Sequence, residues 1–177
     1  GMAGQPISMS CRLCEGLVAE TDVDYVCRLK KTGVVILGST NAPELCNSLT
    51  TESIMNGACH NPWDIERSAG GSSGGAAAAV AAGIVPMAQG GDGAGSIRIP
   101  AHFCGLFGLM GSRGRIPSPG YGVIVLGIGR KHVLTRSVRD SAAMMDQTQG
   151  SLPGDLYQLA PPQRPFLEEV GVDPGRL

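Results

Sequence analysis

"AGGSSGGAAAAVAAG", residues 69–83, sets two adjacent serines inside four glycines and runs directly into alanines. Alanine is the strongest helix former, so 74–83 reads as a helix. Glycine just before it adds backbone freedom that helps only where the main chain takes unusual dihedrals or meets another group closely. The stretch reads as a turn that presents hydroxyls at the entry to a helix.

Working outward, in "DVDYVCRLKK" at 22–31 the residues Val23, Val26 and Cys27 with Leu29 and Lys30 fit a short amphipathic helix ended by Gly33. "VVILG" at 34–38 then predicts a buried strand, followed by the turn residues Ser39, Thr40 and Asn41. "NPWD" at 61–64 reads as a loop, and "GIVPMAQ" at 83–89 as a short strand. "SVRDSAAMMDQ" at 137–147 predicts a second amphipathic helix with Ser137 as its cap. From about 151 the chain is proline-rich and reads as loop or linker. Alternating helices and strands without an internal repeat predict one α/β domain over 1–177, a mixed β-sheet covered by helices.

Composition narrows the partners. Fourteen Lys and Arg against fifteen Asp and Glu leave a net charge of −1, too little field to steer the chain toward nucleic acid or an anionic membrane. Apolar runs such as Val123 to Ile128 are far too short to span a bilayer, and the N-terminus lacks the layout of a secretion signal. The expectation is a soluble, cytoplasmic protein acting on a small molecule. The six cysteines are scattered and read as buried thiols; Cys11 and Cys14 have no second pair or neighbouring histidine, so neither metal nor cofactor is expected.

Two common chemistries fit the serines poorly. Gly70-x-Ser72-x-Gly74 and Gly71-x-Ser73-x-Gly75 both match the nucleophile elbow of α/β-hydrolases, with Asp92 and His132 following in the right order. The preceding "NPWDIERSA" is polar and interrupted, however, where an elbow needs an apolar strand. A second glycine block, "GGDGAGSIRIP" at 90–100, lacks the lysine of a phosphate-binding loop and the last glycine of a dinucleotide fingerprint.

Taken together, "GGSSGG" and "DGAGSIRIPAHFCGLFGL" resemble the amidase signature family of serine hydrolases. The resemblance extends to "CRLKKTGVVILGSTNAPEL" at 27–45 and "LTRSVRDSAAMMDQTQGSLPGD" at 134–155, so it covers nearly the whole chain. It implies a partial amidase-signature fold and hydrolysis of carbon–nitrogen amide bonds. Ser96 would be the nucleophile and Ser72, preceded by a cis peptide bond, the proton relay. Backbone N–H groups of Gly93, Ala94, Gly95 and Ser96 would form the oxyanion hole, with Ser73, Asp92 and Arg98 bracing it. Ala94 stands where the family usually has glycine, a departure that matters if φ there is positive.

The resemblance also implies a lysine base, kept neutral by burial so that it can take the serine proton. That lysine belongs to a stretch expected before residue 1. Lys30 and Lys31 on the first helix, and Lys131 on a later loop, read as solvated side chains. The expectation is an incomplete amidase domain of low or no activity. A reading from another class is a noncatalytic remnant that oligomerises through apolar surfaces left uncovered.

Overall fold

The computed structural model describes residues 1–117 and 127–176. The first four residues of the apolar run at 123–128 lie outside them. Helix α1 (Asp24–Lys31) forms where its apolar spacing predicts, and Gly33 at φ +82° follows its end. Two small antiparallel hairpins come next: β1 (Glu52–Ser53) with β2 (Gly57–Ala58), and β3 (His60–Asn61) with β4 (Asp64–Ser68).

Helix α2 (Gly74–Ala81) leads to β5 (Met87–Asp92), and α3 (Arg98–Phe103) to β6 (Phe107–Gly108). Strand β7 (Arg130–Thr135) and helix α4 (Val138–Thr148) complete the fold. The sheet runs β5-β7-β6 with antiparallel ladders, Gly90 opposite His132 and Asp92 opposite Arg130.

The core lies where α2 and α3 meet this sheet, around Ala69, Ala76, Ala77, Ile97, Ala101, Cys104 and Leu134. Small side chains on α2 let its backbone approach neighbouring elements closely. Arginines then satisfy helix carbonyls that have no partner within their own helix. Arg136 donates to the carbonyls of Val80 and Ala81 at the end of α2, and Arg28 to those of Thr148, the last residue of α4, and of Gln149 and Gly150 just beyond it. Ser137 caps α4 by accepting from the Asp140 N–H at 3.2 Å, as expected from the sequence.

Several expectations need correction. Residues 34–38 form no strand: the segment pairs with nothing in a described ladder, and Val35 and Leu37 are 83% and 72% exposed. An apolar run specifies a wish for burial but not a neighbour to provide it. The strand expected at 83–89 begins at Met87 and runs on through the glycines to Asp92, because β7 pairs along all of it.

"NPWD" is the tip of the β3–β4 hairpin, and "DIERS" is a strand despite its polarity. Four of its five residues are exposed, so it has no apolar face to read. Beyond 151 the chain is not a free linker throughout, since Asp146 of α4 accepts from the Phe166 and Leu167 N–H groups. All six cysteines are free thiols, but only Cys11 and Cys104 are buried and Cys46 is exposed. Among the described residues no helix is long and apolar enough to cross a membrane.

Candidate active site

The glycine-serine turn at 70–74 sits between three pieces of chain, and these explain its glycines better than dihedral freedom does. Only Gly70, at φ +78°, is left-handed. A Cβ on Gly71 would lie 2.7 Å from the Thr50 carbonyl, one on Gly74 2.4 Å from Thr51 Oγ1, and one on Gly75 2.3 Å from the Asn41 nitrogen. Glycine is needed there because other segments press against the turn. The Gly71–Ser72 peptide is cis, as the resemblance implies.

The two serine blocks meet through their main chains. Ser73 N–H donates to the Ser96 carbonyl at 3.1 Å. The Ser73 hydroxyl bonds the backbone of Gly91, accepting from its N–H at 3.2 Å and lying 3.3 Å from its carbonyl oxygen. Gly90 has no room for a side chain either, because Leu134, Ser73 and Ile97 converge on it. Ser72 is buried, while Ser96 is half-buried at the entry to α3.

Asp92, at the end of β5, organises the turn that carries Ser96. Its carboxylate accepts from the N–H groups of Gly95, Ile97 and Arg98 at 2.7, 3.2 and 3.2 Å. Arg98 closes on the same carboxylate with two N–H groups at 2.9 and 3.0 Å. Burial alone raises a carboxyl, but the Arg98 guanidinium and the three amides outweigh it and hold Asp92 at about 2. The carboxylate is therefore a fixed anion that braces the turn, not a proton carrier near neutral pH.

The loop at 93–96, expected to supply the oxyanion hole, differs from expectation in two respects. Ala94 is not in a left-handed conformation; the position that is, at φ +115°, is Gly95, so the Cβ of Ala94 carries no backbone penalty. The Gly95 N–H is engaged by Asp92, which leaves Gly93, Ala94 and Ser96 as candidate donors. Met110 accepts from Arg98 through its sulfur at 3.2 Å.

The alternative Ser-Asp-His set does not assemble. His132 is fully buried in β7, and its Nε2 meets Ser141 Oγ at 2.7 Å. Burial pushes this imidazole down to about 4, against the effect of the Ser141 hydrogen bond. Strand β4 does precede the serine turn, but among the described residues it pairs only with β3, outside the sheet on which a nucleophile elbow would sit.

Lys131 departs from the expectation of a solvated loop residue. It lies in β7, where burial lowers its pKa while Asp24 and Cys46 act in the opposite sense. Sequence reasoning misses Thr51, which is fully buried against the serine turn. No pattern in "NSLTTESIM" marks it. Among the described residues no cluster of His, Cys, Asp or Glu could hold a metal ion.

This arrangement, two serine blocks joined at Ser73 and Ser96, accompanies a match of the Amidase family pattern to residues 1–176. The chain belongs to the amidase family. Among curated amidase relatives, the 6-aminohexanoate-cyclic-dimer hydrolase of Paenarthrobacter ureafaciens is 46% identical over 166 residues, covering 92% of this chain and 34% of that protein. A putative amidase of Synechocystis is 42% identical over 99% of this chain and 35% of its own.

In three dimensions, this amidase chain superimposes on a 6-aminohexanoate cyclic dimer hydrolase solved with its substrate. The TM-score is 0.93 at 41% identity, covering 99% of this chain and 37% of the other. A bacterial aryl acylamidase of the amidase signature family matches at a TM-score of 0.84 and 33% identity, over 96% of this chain and 35% of its own. The chain thus spans about a third of the length of these relatives and forms a partial amidase-signature fold.

Proposed function

We propose that this chain carries the serine half of an amide-hydrolysing site. Ser96 attacks the amide carbonyl as its proton passes through Ser72 to the base; the proton returns to the leaving nitrogen as the C–N bond breaks, the amine departs, and water hydrolyses the remaining acyl-enzyme to the acid and free Ser96. The N–H groups of Gly93, Ala94 and Ser96 stabilise the developing oxyanion, each such donor contributing roughly 3–4 kcal/mol in comparable sites. Family membership and the 3.1 Å bond from Ser73 N–H to the Ser96 carbonyl carry this reading, because that bond keeps the two blocks adjacent.

The base in this reading is a lysine, as the family resemblance implies, and loss of one member of such a unit costs on the order of 10³-fold or more. The substrate is a small amide, as the name of the Paenarthrobacter relative suggests. No cofactor or nucleic acid takes part, and the protein works in the cytoplasm. A fluorophosphonate probe tests the chemistry. Labelling at Ser96 that Ser96→Ala abolishes and Ser72→Ala slows is the expected result; amide turnover unaffected by Ser96→Ala overturns it.

The exposure of Val35 and Leu37 on a segment that joins no described ladder favours a second reading, a noncatalytic chain that self-associates. Light scattering separates the two. A stable oligomer with no labelled serine supports the second, and a labelled serine the first.

A further inference from the structure

We infer that Thr51, just ahead of β1, is a positioning residue for the serine pair, its hydroxyl holding the turn on both sides of Ser72. The inference rests on the proposed use of Ser72 and Ser96. Thr51 is 0% exposed, and its Oγ1 donates to the Gly70 carbonyl at 2.8 Å and accepts from the Gly74 N–H at 3.1 Å. The Ser72 carbonyl lies at the limit of reach, 3.5 Å away.

One hydroxyl supplies both a donor and acceptor lone pairs, so a single atom ties the residue two before Ser72 to the residue two after it. No side chain within the turn does this. The Ser73 hydroxyl is directed to Gly91 instead. Thr51 is itself anchored, since its carbonyl accepts from the Cys59 N–H at 2.8 Å. Its Cβ lies 2.8 Å from where a Cβ on Gly74 would stand, so turn and threonine are fitted to each other.

Thr51→Val keeps the shape but leaves a buried carbonyl and a buried amide without their partner. The turn then loses its fixed span, and the Ser73 to Ser96 contact loses its register. Thr51→Ser keeps the hydroxyl and restores both bonds.

The test uses the full 177-residue chain. Amide hydrogen exchange at Gly74 and Ser73 is followed by NMR against the Met145 amide of α4 as internal reference, in parallel with fluorophosphonate labelling at Ser96. Thr51→Val is expected to speed exchange at Gly74 and Ser73 by about tenfold with Met145 unchanged, the loss of about one hydrogen bond. Labelling slows in step, and Thr51→Ser returns both readouts to near wild type.

Unchanged exchange at Gly74 and Ser73 in the valine variant, or no rescue by serine, overturns the inference. Should valine prevent folding, Thr51→Cys weakens the same bonds at similar volume; exchange equal to that of Thr51→Ser then overturns it. Absence of labelling in the wild type counts against the amide chemistry alone, because exchange decides the role of Thr51 independently.

Discussion

Arg98 grips Asp92 with two nearly equal hydrogen bonds, yet the partners differ sharply in setting: the Asp92 side chain is 0% exposed and that of Arg98 52%. The carboxylate is held mainly from within, by three amides of the turn it organises. The arginine covers it from the solvent side.

That asymmetry predicts unequal substitutions. Asp92→Ala is expected to destabilise by about 3–5 kcal/mol, because it removes a buried charge on which three amides and a guanidinium converge. Arg98→Ala is expected to cost about 1 kcal/mol, the scale of a half-exposed ion pair. Urea denaturation of the two variants measures the difference.

Acid should weaken the fold in two stages. His132 is held at about 4 by burial, below its ordinary 6.5, so the unfolded chain binds a proton that the folded chain refuses between those values. Stability is full above 6.5 and falls toward pH 4 with a slope approaching about 1.4 kcal/mol per pH unit. Asp92, held at about 2 instead of 3.8, adds a further loss as pH drops through that lower window. His132→Gln should flatten the stability curve between pH 4 and 6.5 and leave the lower stage in place.

The glycines of the serine turn should differ from one another and from others in the chain. Gly75→Ala forces a methyl against the Asn41 backbone at 2.3 Å and is expected to cost at least about 2 kcal/mol. Gly38→Ala meets nothing within 4 Å and has no left-handed φ, so its effect should stay within about 0.5 kcal/mol. Thermal unfolding of both variants checks the contrast.

Ser137→Ala removes the side chain that accepts from the Asp140 N–H and should cost about 1 kcal/mol. Circular dichroism during denaturant unfolding reads it.

What the sequence makes legible is local. Helices α1, α2 and α4 are readable because spacing, alanine content and the Ser137 cap act within one element. The serine blocks are readable as a family resemblance. Strand β5 is misplaced by sequence reasoning because Gly90 and Gly91 carry little strand preference, and only the distant ladder with Arg130–Thr135 makes them one. The reason for Gly71, Gly74 and Gly75 is hidden in the same way, since the residues pressing on them lie some twenty or more positions earlier. Thr51 acts entirely through such contacts, so no short motif could announce it.

Asn41, Thr50 and Thr51 all precede the turn they shape. During synthesis they leave the ribosome first, so the surface that moulds the serine turn is already outside the exit tunnel when Gly70 to Gly75 arrive. A circular permutant opened between residues 51 and 60 would reverse that order, making the hydroxyl-bearing turn emerge before its template and wait, unshaped, for the rest of the chain.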